Sequence, residues 1–229
     1  MTTTLPQPPT FEQWIENAFA GVPWEREPLF WQIENPDGTA SNKYYCPLAP
    51  VLAEYLARLF GNPEPLIDRY SGDQLNKGFW FIAGIESSYF HTAREPNVPL
   101  DLQVRWVTAI GTLYEKLFAP LCTPHLGHLN EGPAHPLNSA VYMFWDMDTL
   151  GPDDERAPHL TEPIFNILER ALSLDSVACQ ESALHGLGEN ESTHPERVRQ
   201  IIDAYLRNNP GLPDDLREYA EDAREGNVL

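Results

Sequence analysis

Basic residues are what this chain most lacks: 15 Lys and Arg stand against 34 Asp and Glu in 229 residues, a formal net charge of −19. A surface so negative repels phosphate backbones and anionic bilayers, so neither nucleic acid nor membrane is expected as a partner. Cysteine is sparser still. Cys46, Cys122 and Cys179 are odd in number and far apart, which makes no disulfide framework. With no charged-then-apolar leader over residues 1–9, reduced thiols in a cytoplasm are expected. Long hydrophobic runs are missing as well, none approaching the roughly 20 residues of a membrane helix. The chain has no Gly-rich phosphate loop, no G-x-S-x-G elbow, no H-E-x-x-H and no C-x-x-C pair, and these absences weigh against an enzyme. No cofactor is expected.

What is present is a strong periodic pattern. Hydrophobic residues make up 42% and aromatic residues 11% of the chain, enough for a sizeable core. Thr10 and Gln13 form a capping box ahead of Phe11, Trp14, Ile15, Ala18 and Phe19. Val51, Leu52, Tyr55, Leu56 and Leu59 make a second stripe. Ser71 and Gln74 form another capping box, followed by Leu75, Phe79, Ile82 and Ala83. Trp80 and Phe81 widen that stripe until the helix needs cover on several sides. The longest pattern, 100–118, carries Leu102, Trp106, Ala109, Ile110, Leu113 and Leu117, and it is expected to touch the 71–84 helix. Asn138 is read as the cap of a short aromatic helix ending near Gly151. Around Asn35-Pro36-Asp37-Gly38 the flanking residues can pair as a hairpin. The final stripe is Leu216, Tyr219, Ala220 and Ala223. The fold class is therefore all-α: a single helical domain over 1–229 of about nine to eleven helices in antiparallel pairs by periodicity, with a small β-hairpin near 28–45. A sub-boundary near 151–158 would separate a repeat-like part at 159–225.

Three stripes follow one another over 159–209 with very short breaks. Ile164, Ile167, Leu168, Ala171 and Leu172 form the first, with Thr161 as cap and Pro163 near the start. Val177, Gln180, Ala183, Leu184 and Leu187 form the second, with Gly186 and Gly188 as its stop signal. Val198, Ile201, Ile202, Tyr205 and Leu206 form the third, opening at His194-Pro195. Breaks this short turn neighbouring helices antiparallel. The run from Leu172 to Leu187, with Ala183-Leu184 paired and another amphipathic helix behind it, resembles the helix pairs of HEAT-like repeats. The resemblance covers about residues 160–209 and implies an α-solenoid-like scaffold that binds other proteins rather than an activity.

Three constellations could carry chemistry. Cys122, His125, His128 and His135 share one Pro- and Gly-rich loop, and thiolate and imidazole are zinc ligands, although the C-x2-H-x2-H-x6-H spacing fits no established finger. Glu181 and His185 lie four apart on one helical face beside Gln180 and Ser182. They are either a base with its orienting carboxylate or groups that satisfy a neighbouring loop. Asp146 and Asp148 follow Trp145 where carboxylates oppose a helix dipole. They could hold a cation, or pair with Arg105 or Arg156.

The expectation is a cytoplasmic, bacterial-type interaction scaffold whose partner is another protein, a basic one by charge, with an immunity-type or neutralising role as its specific form. Contact residues would come from Trp80, Trp145, Asp146, Asp148, Gln180, Glu181 and His185. The alternative is a metal-dependent or His-based hydrolase near the 122–135 loop, with Glu181 and His185 as catalytic candidates and Cys122, His125, His128 and His135 as metal candidates. A structural subunit of a homo-oligomer is the third reading.

Overall fold

Capping boxes start two of the chain's helices. In the computed structural model, which describes residues 9–20, 30–34, 40–44, 48–85, 87–129, 132, 134–147 and 150–228, helix α1 (Phe11–Phe19) opens on a complete Thr10–Gln13 capping box. Strands β1 (Phe30–Glu34) and β2 (Ala40–Tyr44) pair antiparallel, Phe30 opposite Tyr44 and Glu34 opposite Ala40. The Asn35–Gly38 turn expected between them, Cys46 and residues 1–8 lie outside the described residues. Helices α2 (Ala49–Gly61) and α3 (Pro65–Arg69) follow, and α4 (Gly72–Ala83) opens on the second capping box, Ser71–Gln74. A 3-10 turn covers Tyr89–Ala93. Helix α5 (Leu100–Leu113) runs into one π-helical turn, Tyr114–Phe118, and then α6 (Ala119–Leu121). The rest is α7 (Leu137–Tyr142), α8 (Pro158–Leu172), α9 (Val177–Glu189), α10 (Pro195–Asn208) and α11 (Asp214–Arg224).

The result is a single helical domain. Helix α5 packs between α2 and α8, α8 packs on α9, and α9 in turn meets α7 and α11. Large core residues between Phe19 and Phe144 form a continuous ladder of rings. Phe19 meets Phe79, Phe79 meets Phe118, Phe118 meets Phe144, Phe144 meets Phe90, and Phe90 meets Trp106, which touches Phe60. The 71–84 and 100–118 segments touch through Phe79 and Phe118, whose centroids are 5.1 Å apart. Among the described residues no helix is long and apolar enough to cross a membrane.

Four local expectations are corrected. Gly186 and Gly188 do not stop α9, which continues to Glu189. They are there because the neighbours come too close for a side chain: a Cβ on Gly186 would sit 2.7 Å from Trp145 Cγ, and one on Gly188 2.6 Å from Val228 Cγ1. Pro163 is inside α8, which starts five residues earlier with Pro158 in its first turn. Thr161 is no cap, its hydroxyl donating instead to Asp154 Oδ1 at 2.7 Å. Asn138 is the second residue of α7 and pins the preceding loop: its amide donates to the carbonyls of Thr123 and His125, and its Oδ1 accepts from the Thr123 N–H.

Candidate functional site

Helix α9 is buried nearly all round, and its polar side chains are buried with it: Glu181 is 1% exposed, Ser182 0% and His185 1%. Buried polar groups must find partners, and each has a different one. Glu181 does not bond His185. Its carboxylate accepts from the N–H groups of Gly127 and His128, at 2.7 and 3.1 Å, and its Oε1 lies 2.6 Å from His128 Nδ1. One carboxylate thus seats the turn of the 122–135 loop on α9. Ser182 donates to the Val141 carbonyl and shares a 2.6 Å hydrogen bond with the Tyr114 hydroxyl. His185 Nδ1 lies 2.7 Å from the Tyr219 hydroxyl of α11, and its Nε2 is buried with no hydrogen-bond partner. The Tyr219 ring stacks on His128 at 4.3 Å, and Tyr142 meets His185 edge-on at 4.8 Å. Loop, α7, α9 and α11 therefore converge here.

At the surface end of this cluster, Asp146, His185 and Glu189 bring one potential ligand atom each within 4.8 Å of one another. Glu189 is one helical turn beyond His185, so both point to the same side of α9. Asp146 comes from the turn after α7, which the Gly186–Trp145 contact holds against α9. Burial pushes the His185 imidazole below its usual range, Asp146 opposes that, and His128 adds to it. Burial, and then the like charge of Asp146, push Glu189 up. Asp146 pairs with neither arginine considered for it, because Arg105 reaches Glu54 and Arg156 reaches Asp153.

The four loop residues do not gather around one point. His128 is held by Glu181, whereas His135 packs against Gly72 and accepts from the Leu137 N–H at 3.2 Å. Cys122 is half-buried and on the side of Cys179; burial pushes both thiols up, that of Cys179 to about 12, so both stay protonated. Among the described residues, no group of three potential ligands includes Cys122, His125, His128 or His135. Trp145 is enclosed by Tyr114, Phe144 and Gly186, while half-buried Trp80 donates to Ser139 Oγ of α7. Asp148 lies outside the described residues.

A second feature is an open groove of about 640 Å³ between the C-terminal end of α8 and α10. Leu172, Leu174, Ile201 and Ala204 provide its apolar lining, Asp175 and Glu169 stand on its α8 side, and Arg197 from α10 also lines it and pairs with Glu169 at 2.8 Å. Gln180, from the expected contact set, also lines it, tied to the Leu174 carbonyl and the Tyr205 hydroxyl. The scarcity of cations matters here. Arg58, Arg69, Arg94, Arg105, Lys116, Arg156, Arg170, Arg197, Arg199 and Arg224 each reach one of the protein's own carboxylates. On α11, exposed Asp214, Asp215, Glu218, Glu221 and Asp222 have no ion-pair partner among the described residues. The excess negative charge is therefore presented to solvent. No family model, curated protein or solved structure matches the chain, so its own residues carry the functional argument.

Proposed function

We propose that this protein is an interaction scaffold that seats a basic, amphipathic segment of another protein in the α8–α10 groove. The observation that carries the reading is the groove itself: an open groove in which Leu172, Leu174, Ile201 and Ala204 lie beside polar side chains, with the Asp175 carboxylate at its edge. Helix-in-groove recognition uses that combination, apolar anchors for affinity and flanking charge for orientation. The acids of α11 extend the negative field beyond the groove and would speed capture of a cationic partner. The resemblance of 160–209 to HEAT-like helix pairs agrees with this role. A neutralising function, in which the scaffold occupies the basic surface of its partner, is the specific form of the proposal.

The test is fluorescence anisotropy with two labelled helical peptides of the same pattern, one Lys/Leu and one Glu/Leu. The Lys/Leu peptide should bind, and more weakly as salt rises. Ala204→Trp, which fills the groove, should weaken it by about tenfold or more, as expected for loss of a central anchor pocket. Reversing the five α11 acids to lysine should flatten the salt dependence. Equal binding of both peptides, or binding that ignores Ala204→Trp, would sink the reading.

A further inference from the structure

We propose that Asp146, His185 and Glu189 form a binding site for a divalent first-row transition ion, with zinc as the best chemical match. The proposal is independent of the groove and rests on three observations. The first is convergence: three ligand atoms from two separate elements lie within 4.8 Å of one another. Zinc bonds of about 2.0 Å place neighbouring ligands roughly 3.3 Å apart, so a modest inward swing of the two exposed carboxylates completes the geometry.

The second observation is the histidine. His185 is 1% exposed, and its Nε2 is buried without a hydrogen-bond partner. Its other nitrogen, Nδ1, is 2.7 Å from the Tyr219 hydroxyl. When Nδ1–H donates to the tyrosine oxygen, the Nε2 lone pair is left free for a metal. A second partner of this kind is what fixes the tautomer and ring orientation of metal-binding histidines. The third observation is electrostatic. Asp146 and Glu189 are brought together with no Lys or Arg ion-paired to either among the described residues. A cation between them turns that repulsion into attraction.

The chemistry of the set selects the ion. Two carboxylates alone would suit magnesium or calcium, whereas an imidazole nitrogen beside two carboxylate oxygens suits zinc and its neighbours. Three protein ligands leave a coordination position facing solvent, the pattern of an open rather than a closed structural site. The backbone positions are set in advance, because Gly186 allows Trp145, the residue before Asp146, to lie directly on α9.

The experiment is titration of the full chain with Zn²⁺ by calorimetry, with metal content measured after dialysis. Asp146→Asn and Glu189→Gln are surface changes that should leave the circular-dichroism melt of the metal-free protein in place. Each should weaken zinc binding at least tenfold from a one-to-one stoichiometry. A control pair, Glu221→Gln with Asp222→Asn, removes equal or greater negative charge elsewhere and should not change it. Long-range ¹⁵N spectra of the histidine rings should show the Nε2 of His185 shifting on zinc addition. Absence of stoichiometric zinc, equal weakening by the control pair, or an unmoved His185 Nε2 would each overturn the proposal.

Discussion

Two regions of the molecule are stabilised by different means. Between residues 19 and 144, large rings interlock across many elements, and the ladder from Phe19 to Phe60 runs through α1, α4, the π-helical turn, the segment after α7, the 3-10 turn, α5 and α2. On α9 itself many residues are small, its glycines allow neighbours to approach closely, and three buried polar side chains each hold a separate piece of chain. Ring packing is non-directional and spreads its contribution over a wide area. A buried carboxylate acts at one place and only with correct geometry. The first arrangement makes a body; the second fixes loops and side chains at defined positions on it.

The comparison can be broken most severely at Phe79, fully buried in the middle of the ladder. Phe79→Ala removes contacts with both Phe19 and Phe118 and should cost about 3–5 kcal/mol. The loss should appear as one shifted unfolding transition, because the rings tie many elements together. Two separate transitions, or a loss below about 1 kcal/mol, would show that the ladder is not a support shared by these elements.

Glu181→Ala should cost slightly less, about 3 kcal/mol, because it leaves the Gly127 and His128 N–H groups and the His128 ring without their buried acceptor. Its effect should be local. Hydrogen exchange at Gly127 and His128 should speed up sharply, while amides in α5 keep their protection relative to the global stability. Uniform acceleration across the chain would mean that Glu181 supports the whole core rather than the loop.

This difference between regions also explains what could be read from the sequence. Stripes and both capping boxes depend on neighbours within a few residues, so spacing reveals them. The roles of α9 depend on distant residues: Glu181 meets partners 53 and 54 positions away, and His185 meets Tyr219, 34 positions on. The i,i+4 spacing of Glu181 and His185 correctly puts them on neighbouring turns, yet each turns to a different element. Gly186 and Gly188 illustrate the same limit. A glycine near a helix end and a glycine under a tryptophan look identical until the tryptophan is placed. For Asn138 and Asp146 the helix end lies earlier than the aromatic run suggests, so one residue is inside the helix and the other beyond it. Spacing shows Glu189 one turn beyond His185, but not that Asp146, from a distant stretch of chain, faces both.

Gly186→Ala probes the close-packed region directly. The new methyl would meet Trp145 at 2.7–2.9 Å and Leu168 at 3.0 Å, all of them enclosed core atoms. Overpacking of this kind should cost about 1–3 kcal/mol, measured as a lower urea midpoint. A neutral result would mean that the turn carrying Trp145 can shift, and that the spacing between Asp146 and α9 is not fixed.

The same chemical change at Gly61 should have the opposite sign. Gly61 ends α2, its φ is not positive, and nothing lies within 4 Å of an added Cβ. Alanine there restricts the unfolded chain without crowding the folded one, which should raise stability by about 0.4–1 kcal/mol. An increased urea midpoint at unchanged slope is the expected result, since neither the folded nor the unfolded surface changes appreciably. A loss at Gly61 comparable to that at Gly186 would show that helix-end glycine conformation, not the ring opposite the Cβ, sets the cost, and the contrast between the two regions would lose its physical basis.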